Sequence, residues 1–176
     1  MKKILPIFLL AFVGLFLFSC DNNDNDNFVD SDTYSKMRDV TGSFTNANSY
    51  AFSQGINIQS TDVVLVYRSL GDAWQLIPKD QYIPNVTGMP TGRVFNYNYV
   101  FDSQEVQIRI DDPSFDLSTE LTSSEKNQYL NNQKFRIVLV PASASKNANG
   151  VDTSDYNAVI KYYGLDDSKV PVTKAN

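Results

Sequence analysis

Residues 93–111 have the sequence RVFNYNYVFDSQEVQIRID, and the expected fold follows from this stretch. Every second residue from Phe95 to Phe101 is aromatic, while polar or smaller side chains occupy the positions between them. Such period-two alternation is typical of a strand with one buried face. After a short turn at residues 102–104, Glu105–Asp111 alternates in the same way. The stretch therefore predicts an antiparallel β-hairpin.

Two further segments, Asp62–Tyr67 and Lys134–Pro141, are apolar on both faces. A strand with two apolar faces is expected in the middle of a sheet that is covered on both sides. Ala73–Pro78 follows the first segment after a Leu-Gly-Asp turn, which predicts a hairpin partner. These segments add a second set of strands to the hairpin.

The remaining patterns define the fold class. In Met37–Gly55, apolar and polar residues also alternate, which predicts further strands. Residues 122–130 favour a short helix. The clearest helix would begin at Asp152, which can cap it, and end at Gly164. Residues 78–92 are rich in Pro and Gly and predict a long irregular connection. Six to eight strands with one late helix predict a mainly all-β fold, an antiparallel β-sandwich of immunoglobulin-like or related Greek-key type.

Composition excludes several function classes. The chain has no His and a single Cys, Cys20, so neither His-based triads nor a Cys/His zinc site can form in the domain that follows. No phosphate-binding glycine loop is present. The 15 basic and 20 acidic residues give a formal charge of −5, and loss of residues 1–19 would make it −7. A net acidic chain without a basic cluster is a poor nucleic-acid binder, and we expect no cofactor.

The N-terminus has the parts of a secretory signal. Lys2 and Lys3 precede the apolar run Ile4–Phe18, which is too short for a typical membrane-spanning helix. Leu-Phe-Ser-Cys at residues 17–20 resembles the lipobox of bacterial lipoproteins. The resemblance implies that residues 1–19 are a signal peptide and that Cys20 is acylated, for example with palmitate, and attaches the protein to a membrane.

Residues 20–33 follow the expected cleavage site and are acidic, polar and almost free of apolar side chains. Such a segment cannot bury enough surface to fold, so we predict a flexible tether. Its Asp-rich start resembles the surface-export signal of Bacteroidota lipoproteins, although Asp21 also fits the inner-membrane retention signal of enteric bacteria. We expect a lipid-anchored protein of the outer membrane, exposed at the cell surface, with the periplasmic face as the alternative.

The folded part should be one β-sandwich domain at residues 34–172, followed by a disordered tail at 173–176. Its strand motifs and the segment Val151–Val159 look similar to small Bacteroidota lipoproteins over most of residues 37–163. That resemblance implies no activity.

Aromatic side chains are the first candidate for a binding site. Tyr97 and Tyr99 on the hairpin, together with Trp74 and Tyr82, could stack against sugar rings. The alternative, which we favour for the hairpin, is that its aromatic face packs in the core between two sheets.

Acidic side chains are the second candidate. The carboxylates near the hairpin could bind Ca²⁺ or act as an acid–base pair on a glycosidic bond. They belong to Asp102, Glu105, Asp111, Asp112 and Asp116. We favour the alternative that these residues only form ordinary turns, in which Asp is common. Residues 147–155 faintly resemble a calcium loop, yet a helix cap accounts for the same residues. We therefore predict no metal site and no catalytic residue.

The sequence thus favours a non-enzymatic, lipid-anchored cell-envelope protein that presents a small β-sandwich for binding or structural interaction. A carbohydrate-binding accessory lipoprotein with exposed Tyr and Trp is the first alternative, and a small carboxylate-dependent hydrolase is the second. The expected partners are a membrane through acylated Cys20 and a glycan or envelope protein, while the oligomeric state is left open.

Overall fold

The alternating segments form strands, and the computed structural model describes them within residues 37–60, 62–141 and 150–175. The strands in these ranges are β1 (Met37–Gly42), β2 (Ala51–Gly55), β3 (Val63–Leu70), β4 (Ala73–Leu76), β5 (Lys79–Tyr82), β6 (Val94–Phe101), β7 (Glu105–Asp111), β8 (Gln133–Val140) and β9 (Val172–Lys174). The helices are α1 (Ser123–Tyr129) and α2 (Tyr156–Tyr162). All of these residues belong to one compact unit.

The strands form two sheets that pack face to face. The five-stranded sheet has the order β4-β3-β8-β1-β9, and the four-stranded sheet has the order β2-β7-β6-β5. Neighbouring strands are antiparallel except for β1 and β9, which are parallel. The predicted mainly-β sandwich with a C-terminal and a second short helix is therefore confirmed, while immunoglobulin-like connectivity stays a prediction.

The central strands follow their hydrophobic pattern. In β3, Val64 and Val66 face the other sheet, whereas Leu65 and Tyr67 belong to a second cluster on the outer face. β8 lies between β3 and β1 and is likewise buried on both faces. Strands that are apolar on both sides must be covered on both sides, because exposed apolar area costs about 25 cal/mol per Å².

Aromatic side chains fill the space between the sheets. Phe52 from one sheet and Phe135 from the other have ring centres 5.9 Å apart, and Phe44 lies 5.0 Å from Phe52. Gly42 allows this packing, since a Cβ there would lie 2.6 Å from the Phe52 ring. The β6–β7 hairpin contributes its aromatic face to the same core.

Residues 150–171 cover the outer face of the five-stranded sheet. Within α2, Val159 is fully buried and Tyr156 is nearly so, and both pack in the cluster that contains Leu65 and Tyr67. The Asp155 side chain caps this helix by accepting a hydrogen bond from the Ala158 amide at 3.1 Å. The cover supplies the second apolar contact surface that β3 and β8 require.

Three details differ from the sequence predictions. The connection at residues 78–92 contains strand β5, which pairs with β6 but could not be predicted from its polar sequence. Helix α2 begins after Asp155 and not at Asp152, which instead accepts hydrogen bonds from Ser154. The predicted disordered tail is also wrong for residues 173–174, because β9 pairs with β1 and buries Thr173 partly against the sheet edge.

The predicted signal peptide, Cys20 and the acidic tether lie outside the described residues. The anchor, the cleavage site and the cellular location therefore stay predictions. Among residues 37–60, 62–141 and 150–175, no helix is both long enough and apolar enough to cross a lipid bilayer.

Candidate functional site

Tyr97 and Tyr99 point into the core, so the hypothesis that they form a sugar platform is wrong. Only 1% of Tyr97 is exposed, and its hydroxyl donates a hydrogen bond to the Tyr129 carbonyl at 2.6 Å. The Tyr99 hydroxyl donates to the Val64 carbonyl at 2.8 Å, across the sandwich. Burial raises the pKa of both phenols. Tyr99 therefore links the two sheets, and Tyr97 links the four-stranded sheet to α1.

Trp74 lies half-buried on the outer face of the five-stranded sheet. The Arg136 guanidinium carbon is 4.3 Å from its ring centre, and the Tyr156 ring is 5.7 Å away. The indole also forms part of a groove of about 460 Å³ along the sheet edge. Because α2 and Arg136 hold one side of the ring, Trp74 mainly belongs to the contact between cover and sheet.

Tyr82 is the most exposed of the predicted ligand-binding residues, with 71% of its surface accessible. It lies at the end of β5 on the outer face of the four-stranded sheet, where it pairs with Val94. Trp74 lies on the outer face of the other sheet. The four candidate aromatic residues thus do not form one row, and Tyr82 alone remains available as an exposed ring.

The outer face of the four-stranded sheet, which we call the open face, carries polar side chains from β5, β6 and β7. Strand pairing places Asp80 beside Asn96 and Asn96 beside Asp111, while Asn98 lies beside Arg109. No residue of the open face is buried; its members are Ala51, Ser53, Gly55, Asp80, Tyr82, Val94, Asn96, Asn98, Val100, Glu105, Gln107, Arg109 and Asp111.

Hydrogen bonds order five of these side chains in two neighbouring groups, Asp80 with Asn96 and Asp111 with Asn98 and Arg109, which we call the polar array. The Asn96 amide donates to Asp80 at 2.9 Å, and the Asn98 amide donates to Asp111 at 2.8 Å. Arg109 Nε donates to the same Asp111 carboxylate at 3.1 Å. Since each contact fixes a rotamer, the array presents carboxylate, amide and guanidinium groups in set positions.

Three of the five candidate carboxylates near the hairpin, Asp102, Asp111 and Asp116, accept hydrogen bonds from neighbouring groups. Asp102 accepts hydrogen bonds from the amides of Gln104 and Glu105, and these bonds lower its pKa. Asp116 accepts from Ser118 in the same way. Within the described part of the chain, no group of three or more acidic side chains could hold a metal ion. Residues 147–149 of the calcium-like segment lie outside the described ranges.

Beneath the cover, the outer face of the five-stranded sheet contains a buried network of charges. Arg136 binds Asp39 through Nε at 2.6 Å and through Nη2 at 3.0 Å, and Lys134 binds the same carboxylate at 2.8 Å. Arg136 also donates to the Tyr156 hydroxyl, which donates to Asp167 at 3.0 Å. The network fastens residues 156–167 to β1 and β8.

The network sets the ionisation of its members. Burial opposes the charged form of Asp39, but hydrogen bonds and charges from Arg136 and Lys134 outweigh burial and lower its pKa. Burial raises the pKa of Tyr156 to about 12. Asp39 is therefore an ionised, paired carboxylate at neutral pH.

A second buried ion pair closes one end of the sandwich. Arg93 binds Glu125 through Nη2 at 2.7 Å, and its guanidinium also donates to the carbonyls of Glu120 and Pro84. Hydrogen bonds from Arg93 hold the pKa of Glu125 at about 2. The sequence predicted the short helix that contains Glu125 but not its contact with the distant Arg93, because nothing in the local sequence marks that contact.

Comparison with known proteins adds no assignment to this geometry. No family model, no curated protein and no solved structure matches the chain. The candidate site therefore depends on the open face itself, which combines an exposed aromatic ring with an ordered polar array.

Proposed function

We propose that this chain is a non-enzymatic, lipid-anchored protein of the cell envelope, and that the open face of its β-sandwich is a binding surface. Acylated Cys20 would hold the protein on the outer membrane, and residues 20–33 would separate the domain from the lipid. The lipobox-like sequence at residues 17–20 and the polar composition of the tether support this anchoring.

The main support for a binding role of the open face is that the two outer faces of the sandwich differ in how far they are covered. One outer face is covered by residues 150–171 and holds buried side chains such as Asp39 and Tyr67. The open face has no buried residue, yet five of its polar side chains are ordered by mutual hydrogen bonds. Ordered polar groups on an accessible surface lose little conformational freedom when a ligand binds.

The proposal assigns the acidic residues no catalytic role. Asp102 and Asp116 accept turn hydrogen bonds, and Asp111 pairs with Arg109 at 3.0 Å. A glycosidase of the two-carboxylate type needs one carboxyl group with a raised pKa to act as the acid. The pKa values of Asp102 and Asp116 are instead lowered, so the hydrolase alternative gains no support from these groups.

The anchor can be tested with the variant Cys20→Ala in the full chain. We expect the wild-type protein to fractionate with the outer membrane and to carry an acyl mass on residue 20, and the variant to lose both properties. Protease treatment of intact cells would then separate surface from periplasmic exposure. Wild-type protein without an acyl group would contradict the proposed anchor.

The binding surface can be tested with two matched photocrosslinking positions. Val100 on the open face and Tyr162 on α2 are 43% and 44% exposed, respectively. A photoreactive residue in place of Val100 should form adducts with envelope components on intact cells, whereas one in place of Tyr162 should not. Equal adduct yields at both positions, or none at Val100, would contradict a binding role for the open face.

A further inference from the structure

We propose that the open face binds a neutral polysaccharide, with the Tyr82 ring as the stacking surface and the neighbouring polar array as the hydrogen-bonding surface. This inference rests on the proposed function, in which the open face is the binding surface. It adds the chemical class of the ligand and the contacts that would recognise it.

The first observation is the position of Tyr82 relative to the polar array. Tyr82 and Asp80 are two residues apart on one strand and point to the same side, which places them roughly 7 Å apart. The apolar face of a sugar ring can pack on an accessible aromatic ring, while its hydroxyl groups extend sideways. A sugar on Tyr82 would thus direct hydroxyls toward Asp80 and Asn96.

The second observation is the set of polar atoms that the array leaves without partners. Asp80 Oδ1 accepts from Asn96 Nδ2, and Arg109 uses only Nε within the array. Among the described residues, Asp80 Oδ2, Asn96 Oδ1 and the Arg109 Nη atoms make no hydrogen bond. A sugar hydroxyl both donates and accepts hydrogen bonds, so it can satisfy the two acceptors and the guanidinium donors alike.

Charge decides between neutral and acidic polymers. The open face carries three carboxylates, on Asp80, Glu105 and Asp111, and one cation, on Arg109. Like charges across an interface oppose association, so an acidic polysaccharide, a nucleic acid or an anionic lipid surface would be disfavoured. A neutral polymer encounters no such penalty.

Polarity decides between a polysaccharide and a protein partner. Protein interfaces depend on a central apolar region that becomes fully buried. On the open face, the larger apolar side chains other than Tyr82 are Val94 and Val100, and they are six positions apart on β6 rather than next to each other. The polar array lies between them, which suits a hydroxyl-rich ligand better than an apolar protein surface.

Affinity electrophoresis of the full-length, detergent-purified protein tests the inference. The gels would contain a neutral β-glucan, mannan or xylan, with polygalacturonate as the acidic probe. We expect at least one neutral polymer to retard the protein and polygalacturonate not to do so. Retardation by polygalacturonate alone, or by none of the four polymers, would overturn the inference.

Matched tyrosine variants locate the contact. Tyr82→Ala should weaken retardation roughly tenfold, whereas Tyr82→Phe should keep it, because the ring supplies the stacking energy. Tyr162→Ala, at an exposed tyrosine on the other side of the sandwich, should leave it unchanged. Because Tyr82 is largely exposed, thermal unfolding should verify that all three variants fold. Unchanged retardation in Tyr82→Ala would overturn the proposed contact.

The outcome also separates this inference from the proposed function. If no polysaccharide binds while a photoreactive residue at Val100 still forms adducts with an envelope protein, the ligand class is wrong and the open face remains a binding surface. If Val100 forms no adducts and no polymer binds, both proposals fail.

Discussion

The two outer faces of this sandwich differ in what their strands require. β3 and β8 are apolar on both sides, so the five-stranded sheet needs residues 150–171 as a cover. β6 and β7 alternate apolar and polar residues, so the four-stranded sheet can leave its outer side in water. The hydrophobic pattern of each strand thus decides which face is covered and which face is free to bind.

A hydrogen bond to an Asp side chain affects stability differently on the two outer faces. Asp39 and Asp80 both accept hydrogen bonds from a neighbouring strand, but Asp39 is 2% exposed whereas Asp80 is exposed. A buried carboxylate that loses its partner leaves an uncompensated charge, while an exposed one is solvated by water. Burial, and not the hydrogen bond itself, should therefore determine the effect of substitutions.

The largest expected effect is on the covered face. Asp39→Ala would leave Arg136 buried without the carboxylate that it binds through two nitrogens. We expect a loss of about 3–5 kcal/mol in the free energy of unfolding, measured by urea denaturation. The surface pair offers a control: Asp111→Ala, which removes the partner of half-exposed Arg109, should cost less than about 1 kcal/mol. Similar losses in both variants would contradict the comparison.

A smaller effect is expected where the cover joins the sheet. Tyr156→Phe removes the hydroxyl that accepts from Arg136 and donates to Asp167, but keeps the ring. We expect a loss of about 1–2 kcal/mol and faster amide hydrogen exchange in α2, with little change in β6 and β7. Tyr82→Phe, at a largely exposed tyrosine of the four-stranded sheet, is the control. Equal exchange rates in the two variants would show that the network does not hold the cover.

Acid should weaken the covered face in a defined direction. Arg136 and Lys134 lower the pKa of Asp39 below its ordinary 3.8, so the unfolded chain binds a proton more readily. The stabilisation is complete above roughly pH 5 and is lost as the pH falls through 3.8 towards the folded pKa. Glu125, with a pKa of about 2, adds to the same slope.

Urea denaturation at pH 6, 4 and 3 would measure this dependence, and carboxyl-carbon NMR would assign the part that belongs to Asp39. Added salt should change the slope only slightly, because buried pairs are screened less than surface pairs. A free energy of unfolding that stays constant from pH 6 to pH 3 would contradict the role of both ion pairs.

Local patterns in the sequence predicted most of the fold. Period-two alternation located the β6–β7 hairpin, and the doubly apolar segments were correctly placed in the middle of a covered sheet. Strand β5 was not predicted because its sequence, Lys-Asp-Gln-Tyr, has no alternation of apolar and polar residues. It is a strand because it pairs with β6. Strand β9 was not predicted either, because it forms by pairing with β1 at the edge of the sheet and not from a pattern of its own.

The candidate site was less predictable, because it depends on which side of a strand meets water. The sequence identified Tyr82 and Tyr97 as candidates in one group but favoured a core position for the Tyr97 face, and the Tyr97 ring does lie in the core. Asn96 and Asn98, on the opposite side of β6, form the exposed array. They lie beside Asp80 and Asp111 because of the register between the strands. The alternation within a single strand does not determine that register.

The smallest expected effect is the most direct test of the open face. Asp80→Ala makes the same substitution as Asp39→Ala at another carboxylate that faces outward from a sheet. Because water can solvate the Asn96 amide after the change, we expect the free energy of unfolding to move by no more than about 0.5 kcal/mol in urea denaturation. A loss above about 2 kcal/mol would mean that Asp80 is buried in the full protein. The open face would then be covered like its counterpart and could not serve as the binding surface.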